Sequence, residues 1–144
     1  MKPGDENLGW NEVFAAWLIA SAATLAALFL GEVMGLTPCV LCWYQRIAMF
    51  PLVLVLAAGL FPFDRRVLRY ALPLAVAGWL LALWHWGIAS GVLPERIAPC
   101  SQGVPCGVEQ IVWLGFITLP MLSVIAFSAI ISLLLLVHFK RPKP

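Results

Sequence analysis

Charge is what this sequence has least of. Asp, Glu, Lys and Arg supply 11% of its 144 residues, whereas an ordinary soluble domain carries about a quarter. Hydrophobic residues supply 62%, and a chain this short leaves much of its surface exposed however it folds. That balance excludes a water-soluble globule and makes lipid the fitting solvent. The net charge of +2 is too small, and the basic residues too dispersed, for a nucleic-acid-binding face. The apolar runs are continuous rather than alternating, which excludes a transmembrane β-barrel. Internal repeats, low-complexity tracts and interdomain linkers are missing. A cleavable signal peptide is not expected either. The first apolar run is too long for one, no small-residue cleavage site follows it, and Lys2 is accompanied by Asp5, Glu6 and Glu12. That run reads as a retained span.

What is there is a set of four long apolar runs. They cover about Val13–Gly31, Cys39–Phe63, Val67–Ile88 and Val112–Val137, each close to the ~20 residues a spanning helix needs. A helical bundle satisfies its backbone polar groups internally, as lipid demands. The expected fold is therefore an all-α integral membrane protein, a four-transmembrane-helix bundle forming one domain over residues 1–144. Positive charge sets the orientation. Arg65, Arg66 and Arg69 lie between spans two and three, and Lys140, Arg141 and Lys143 follow span four. Both segments, and with them the N- and C-termini, are expected in the cytoplasm. The loop between spans one and two has no Lys or Arg, and the outer loop 89–111 has only Arg96 beside Glu95. Gly91, Pro94, Pro99, Gly103, Pro105 and Gly107 break helix in that outer loop. Pro51, Pro73 and Pro120 are expected to kink the helices that hold them.

All four cysteines fall on the outer side of this topology, the side where disulfides form and persist. Cys39 and Cys42 make a C-x-x-C at the start of span two, and Cys100 and Cys106 lie in the outer loop. Thr37 suits an N-cap and Pro38 the first helical position. Cys39 and Cys42 then sit near the positive end of the helix dipole, which favours a thiolate. Arg46 shares their helical face, ~10 Å deeper than Cys39 at ~1.5 Å per residue. A cation there costs up to ~2.5–3.5 kcal/mol. Stabilising a thiolate or an anionic cofactor oxygen offsets that cost; snorkelling to the outer surface is the plainer alternative. Closing the ring between Cys100 and Cys106 is worth only ~2–3 kcal/mol. Gly and Pro inside it suggest an adaptable, exposed shuttle disulfide, against which stands a simple loop clip. A zinc site built from the two pairs competes, but the oxidising side and the Arg46 charge oppose it. A haem attachment is excluded because Trp43, not His, follows Cys42. His85, between Trp84 and Trp86 near the outer end of span three, is either a cofactor contact or part of an interfacial aromatic belt.

The stretch Cys39-Val40-Leu41-Cys42-Trp43-Tyr44-Gln45-Arg46 resembles the signature of the DsbB/BdbC disulfide bond formation proteins. Pro105-Cys106-Gly107-Val108-Glu109-Gln110-Ile111, followed by Trp113 to Pro120, resembles the BdbC-like branch, where the second pair is closely spaced. The longer spacing of the enterobacterial type is not present. The resemblance implies a quinone-dependent thiol:disulfide oxidoreductase of the bacterial cytoplasmic (inner) membrane. It would reoxidise a soluble thioredoxin-fold thiol oxidase of the DsbA/BdbD kind and pass electrons to ubiquinone or menaquinone. Cys100 and Cys106 would take electrons from the partner, the Cys39–Cys42 disulfide would reoxidise that pair, and Cys42 would face the quinone. Arg46 matches the arginine that lies beside the quinone, and His85 is a second cofactor-binding candidate. The sequence leaves open which cysteine of each pair attacks. A membrane metal-binding or structural protein with static cysteines is the rival reading. A reductant exporter is disfavoured because no cysteine lies on the inner side, and a vitamin K epoxide reductase-like enzyme because its C-x-x-C belongs on a later helix.

Overall fold

The computed structural model describes residues 9–97, 104–106, 112–113 and 115–140. Cys100 and Glu109, together with Lys2, Arg141 and Lys143, lie outside the described residues. Four long helices run in chain order. They are α1 (Trp10–Leu28), α2 (Val40–Leu60), α3 (Leu68–Ala89) and α4 (Leu119–Phe139). At ~1.5 Å per residue each is about 30 Å long, the thickness of a bilayer's hydrocarbon core. All four are apolar enough to cross a membrane. They are apolar on every side, and large residues such as Leu25, Leu54, Ile125 and Leu136 are exposed. A helix of that kind buries only part of its surface against its neighbours and gives the rest to lipid.

Successive helices are antiparallel: α1 packs on α2 and α4, and α3 packs on the same two. Small side chains meet large ones across these contacts. Ala16 and Ala20 of α1 and Ala71, Ala75 and Ala82 of α3 share a core with Leu52 and Leu56 of α2 and Phe127, Ile130 and Leu134 of α4. Small residues let helix backbones approach where no hydrophobic effect drives them together. Gly78 is the closest case, since a Cβ there would lie 2.3 Å from the Phe127 ring.

One end of the bundle is tied by charge. Lys140 pairs with Glu12. Arg65 donates to the carbonyl oxygens of Val137 and, at 2.6 Å, Lys140. Arg66 and Arg69 lie at this end as well. The starts of α2 and α4 and the ends of α1 and α3 form the opposite end, which carries Cys39, Cys42 and Cys106.

Several element boundaries differ from the sequence expectation. Helix α1 starts at Trp10 and continues past Leu28 into a π turn, Phe29–Val33. Helix α2 stops at Leu60, because Phe61 takes an extended conformation (φ −135°, ψ 92°) before Pro62. The fourth span, expected from Val112, begins at Leu119. Val112–Trp113 and Ile117–Thr118 instead form a two-stranded antiparallel ribbon, β1 and β2, turned at Gly115 with φ +82°. Thr118 then caps α4, its Oγ1 accepting from the Met121 N–H at 3.4 Å. Pro120 therefore sits in the first turn, where its missing N–H costs nothing. It starts α4 rather than kinking it; Pro51 and Pro73 do lie inside α2 and α3.

The Gly78–Phe127 approach yields a direct test. Gly78→Ala should lower stability by about 1–3 kcal/mol through overpacking, measured as the denaturant midpoint of the protein in detergent. An unchanged midpoint would mean that the ring can turn aside.

Candidate functional site

The site begins where α2 begins. Cys39, with φ −71° and ψ 170°, is the N-cap residue, and its Sγ accepts from the Cys42 N–H at 3.4 Å. The expected cap at Thr37 and first helical position at Pro38 are thus displaced by two residues. Pro38 precedes the helix, and the sulfur does the work that a Ser or Asp oxygen does elsewhere. Both cysteines are unbridged, with their sulfurs 3.1 Å apart. Cys39 is buried and Cys42 half-buried.

A second buried polar group faces them from α3. His85 Nε2 lies 3.7 Å from Cys39 Sγ, and His85 Nδ1 lies 3.0 Å from the Gln45 side-chain nitrogen. His85 and Gln45 are both nearly inaccessible, and burial of such groups is tolerated because they satisfy each other. With the Gln45 amide donating to Nδ1, the ring proton sits on Nε2, facing the sulfur. Gln45 had no role in the sequence reading. Its signal was a lone amide in an apolar run, on the helical face shared with Cys42.

The hydrogen bond with Cys42 holds the Cys39 thiol far below the ordinary thiol range, to about 4. Burial opposes this shift, and His85 and the Cys42 N–H add to it. A thiolate at a helix N-terminus has the same sense.

Cys106 is only 4% exposed and joins Cys39, Leu41 and Ile88 in a small apolar cluster that Cys42, Trp84 and Leu93 flank. The expectation of an exposed second pair is corrected at this residue. Cys106 packs against the C-x-x-C cluster rather than projecting into solvent. Cys106 is disulfide-bonded. Cys100 lies outside the described residues.

On the other side of the C-x-x-C a cavity of about 470 Å³ opens between α1, α2 and α4. Its wall is apolar, with Ala26, Leu30, Phe50 and Leu122 among the lining residues, and Cys42, Gln45 and Arg46 supply polar atoms. The Arg46 guanidinium donates to the Ala27 carbonyl at 2.8 Å and lies 5.4 Å from the Trp43 ring centre. Gly31 leaves room for it, since a Cβ there would come within 3.3 Å of Nη2. His85 is not among the lining residues. It stands behind Gln45, against Cys39. The donor atoms of Cys39, Cys42 and His85 all lie within 4.8 Å of one another, so these three are the described residues that could hold a metal ion.

Four membrane-length helices with a dithiol at one end, one sulfur beside a buried imidazole and the other on an apolar cavity, define a membrane thiol–disulfide protein. Residues 11–137 match the family model for disulfide bond formation protein DsbB, and the chain belongs to that family. It is 43% identical, over the whole of both chains, to a probable disulfide formation protein of Metapseudomonas resinovorans. It is 42% identical to disulfide bond formation protein C of Bacillus subtilis, over 90% of this chain and 94% of that one. A probable disulfide formation protein C 2 of Bacillus cereus is 45% identical over 83% of this chain and 85% of its own. No solved structure matches.

The lowered pKa gives the sign of a pH effect. The Cys39 thiolate persists at every pH above about 4 and is lost as pH falls through that value. Alkylation of reduced Cys39 should therefore stay fast well into the acid range, where an ordinary thiol is unreactive. In His85→Ala the midpoint should move upward. The check is the rate of iodoacetamide labelling against pH, read by mass spectrometry in a Cys100→Ser, Cys106→Ser background.

Proposed function

We propose that the protein reoxidises a soluble thioredoxin-fold thiol oxidase of the DsbA/BdbD kind and delivers the electrons to a membrane quinone. Each turnover converts one partner dithiol to a disulfide and reduces one quinone by two electrons and two protons. Cys100 and Cys106 form the disulfide that the partner's dithiol reduces. The Cys39–Cys42 disulfide then reoxidises that pair and is itself left as a dithiol. The observation that carries this reading is the placement of the two sulfurs of one C-x-x-C. Cys39 packs with Cys106, and Cys42 lines the apolar cavity.

The cavity fits a quinone by size and by lining. Its volume of about 470 Å³ falls in the range of roughly 300–1,000 Å³ typical of small-molecule sites. Apolar walls suit a ring with a hydrocarbon tail, and the N–H groups of Arg46 and Gln45 are donors of the kind that carbonyl oxygens need. A quinone bound there supplies a two-electron acceptor that stays in the lipid. Arg46, tied to α1 through Ala27, brings fixed positive charge to the cavity. That charge favours negative charge developing on a bound oxygen. Cys39 holds the thiolate that attacks or leaves in exchange with the second pair. The sequence offered His85 as a second cofactor-binding candidate beside an interfacial aromatic belt. Its contacts with Cys39 and Gln45 favour a role on the thiol side of the site.

The reading is tested anaerobically with purified protein, a soluble quinone and a reduced thioredoxin-fold oxidase. Quinone absorbance should fall in step with partner oxidation. Cys42→Ser should abolish the change, and Arg46→Ala should slow it by roughly ten- to a hundredfold, the worth of one charge-assisted hydrogen bond. A full complement of cysteines with no quinone loss would sink the reading, and stoichiometric zinc without redox cycling would put the metal-binding alternative in its place.

The cysteine end belongs outside the cytoplasm on this reading, because Arg65, Arg66 and Lys140 mark the other end as the inner one. In a cysteine-free background, a membrane-impermeant maleimide should label Val92→Cys in intact cells and should reach Arg66→Cys only after lysis. The reverse pattern would invert the topology.

A further inference from the structure

The cluster at the head of α2 has the donor set of a metal site as well as of a redox pair. We propose that Cys39, Cys42 and His85 in the reduced protein bind a divalent ion of the zinc class, which holds the dithiol and blocks turnover. With Zn–S near 2.3 Å and Zn–N near 2.0–2.1 Å, tetrahedral angles require a sulfur–nitrogen separation of about 3.6 Å and a sulfur–sulfur separation of about 3.8 Å. Cys39 Sγ and His85 Nε2 already stand 3.7 Å apart. The sulfurs are 3.1 Å apart, so the Cys42 side chain has to open by about 0.7 Å to reach that tetrahedral spacing.

The surroundings support the ion in three ways. Two thiolates cancel a divalent charge, so a loaded site adds no net charge to an apolar end of the bundle. Gln45 bonds the far ring nitrogen, the outer support that metal-bound histidines usually have. When Nε2 gives its lone pair to the ion, the ring proton moves to Nδ1 and donates to the Gln45 side-chain oxygen, the amide turning over. Arg46, whose charge counts against a cation in the sequence, is turned away to the Ala27 carbonyl on α1. Three protein donors leave the fourth position to water. Binding displaces the proton that the two sulfurs share and moves no electrons. A Cys39–Cys42 disulfide offers no thiolate, so only the reduced state is trapped. The inhibitory consequence rests on the functional reading above; the binding does not.

The test uses the full chain in detergent, with Cys100→Ser and Cys106→Ser removing the second pair. The protein is reduced with a phosphine under anaerobic conditions, freed of reductant and titrated with Co²⁺, then Zn²⁺. One Co²⁺ per chain is expected, with sulfur-to-cobalt charge-transfer and tetrahedral ligand-field bands that Zn²⁺ bleaches. The oxidised form should show none. His85→Gln, which keeps a side chain able to bond Gln45, should weaken binding at least about tenfold, and Cys39→Ser should abolish the charge-transfer bands. Absence of bands in the reduced protein overturns the proposal, as does unchanged affinity in His85→Gln. In the wild-type protein with all four cysteines, Zn²⁺ should stop quinone-linked partner oxidation and a chelator should restore it. Undiminished turnover by zinc-loaded protein overturns the inhibitory role. Bands with no turnover under any condition leave the ion site standing and remove the oxidase reading instead.

Discussion

The hydrogen bond from the Cys42 N–H to the Cys39 sulfur decides what the head of α2 can do. Because the sulfur is the cap, Cys39 is the last residue outside the helix and Cys42 is already in its first turn. That one-turn offset points the two side chains of a four-residue motif to different neighbours. Cys39 meets His85 and sits within the apolar cluster containing Cys106, while Cys42 packs on the edge of that cluster and also lines the cavity. A cap at Thr37 would have put both sulfurs within the helix, without the N–H bond that now reaches Cys39. The same bond gives the Cys39 thiolate an N–H donor at the positive end of the helix, alongside the proton it shares with Cys42.

Lipid explains why the chemistry is confined to this end. Backbone groups inside the bilayer have to be paired along the helices, so irregular backbone and reactive loops are pushed to the ends. Within the spans only side chains can build a site, and this one uses few. Small residues on α1 bring it close to α2 and α4 lower in the bundle. Near the cysteines the Ala22, Ala26 and Leu30 face stands off enough to leave the cavity. At the opposite end the ion pair ties the start of α1 to the end of α4, and Arg65 ties the α2–α3 connection to α4.

The helices were legible in the sequence because continuous apolar length is a strong signal, and it marked four spans within a few residues in most places. It failed at Val112–Thr118, where the composition is as apolar as a span. Only the turn at Gly115 and the cap at Thr118 separate ribbon from helix. That Cys42 and Arg46 share a face was legible because spacing along one helix fixes it; that Cys39 stands outside the helix as its cap was not. Gln45 was not. Its partner is 40 residues away in the chain, and a contact of that kind has no periodicity to betray it. The burial of Cys106 was missed for a related reason: Gly and Pro describe how freely a loop can bend, and say nothing of the distant apolar side chains that one of its residues can meet.

Three polar side chains near one another in so apolar a protein need a reason beyond tolerance. An unpaired buried amide or imidazole costs ~1–3 kcal/mol, so Gln45 and His85 offset mainly each other's cost, and an apolar pair would pack there at no loss. What the apolar pair could not do is present a nitrogen to Cys39 while leaving Cys42 and Arg46 to the cavity. Gln45 is the hinge of that division: it lines the cavity with one face and holds the His85 ring with its amide. The two sulfurs, 3.1 Å apart, therefore differ in surroundings: the imidazole stands against Cys39, and Cys42 lines the cavity that Arg46 also lines. Sulfurs with the same intrinsic chemistry become a directed pair only if something separates their surroundings, and the Gln45–His85 contact is the part of this structure that does so.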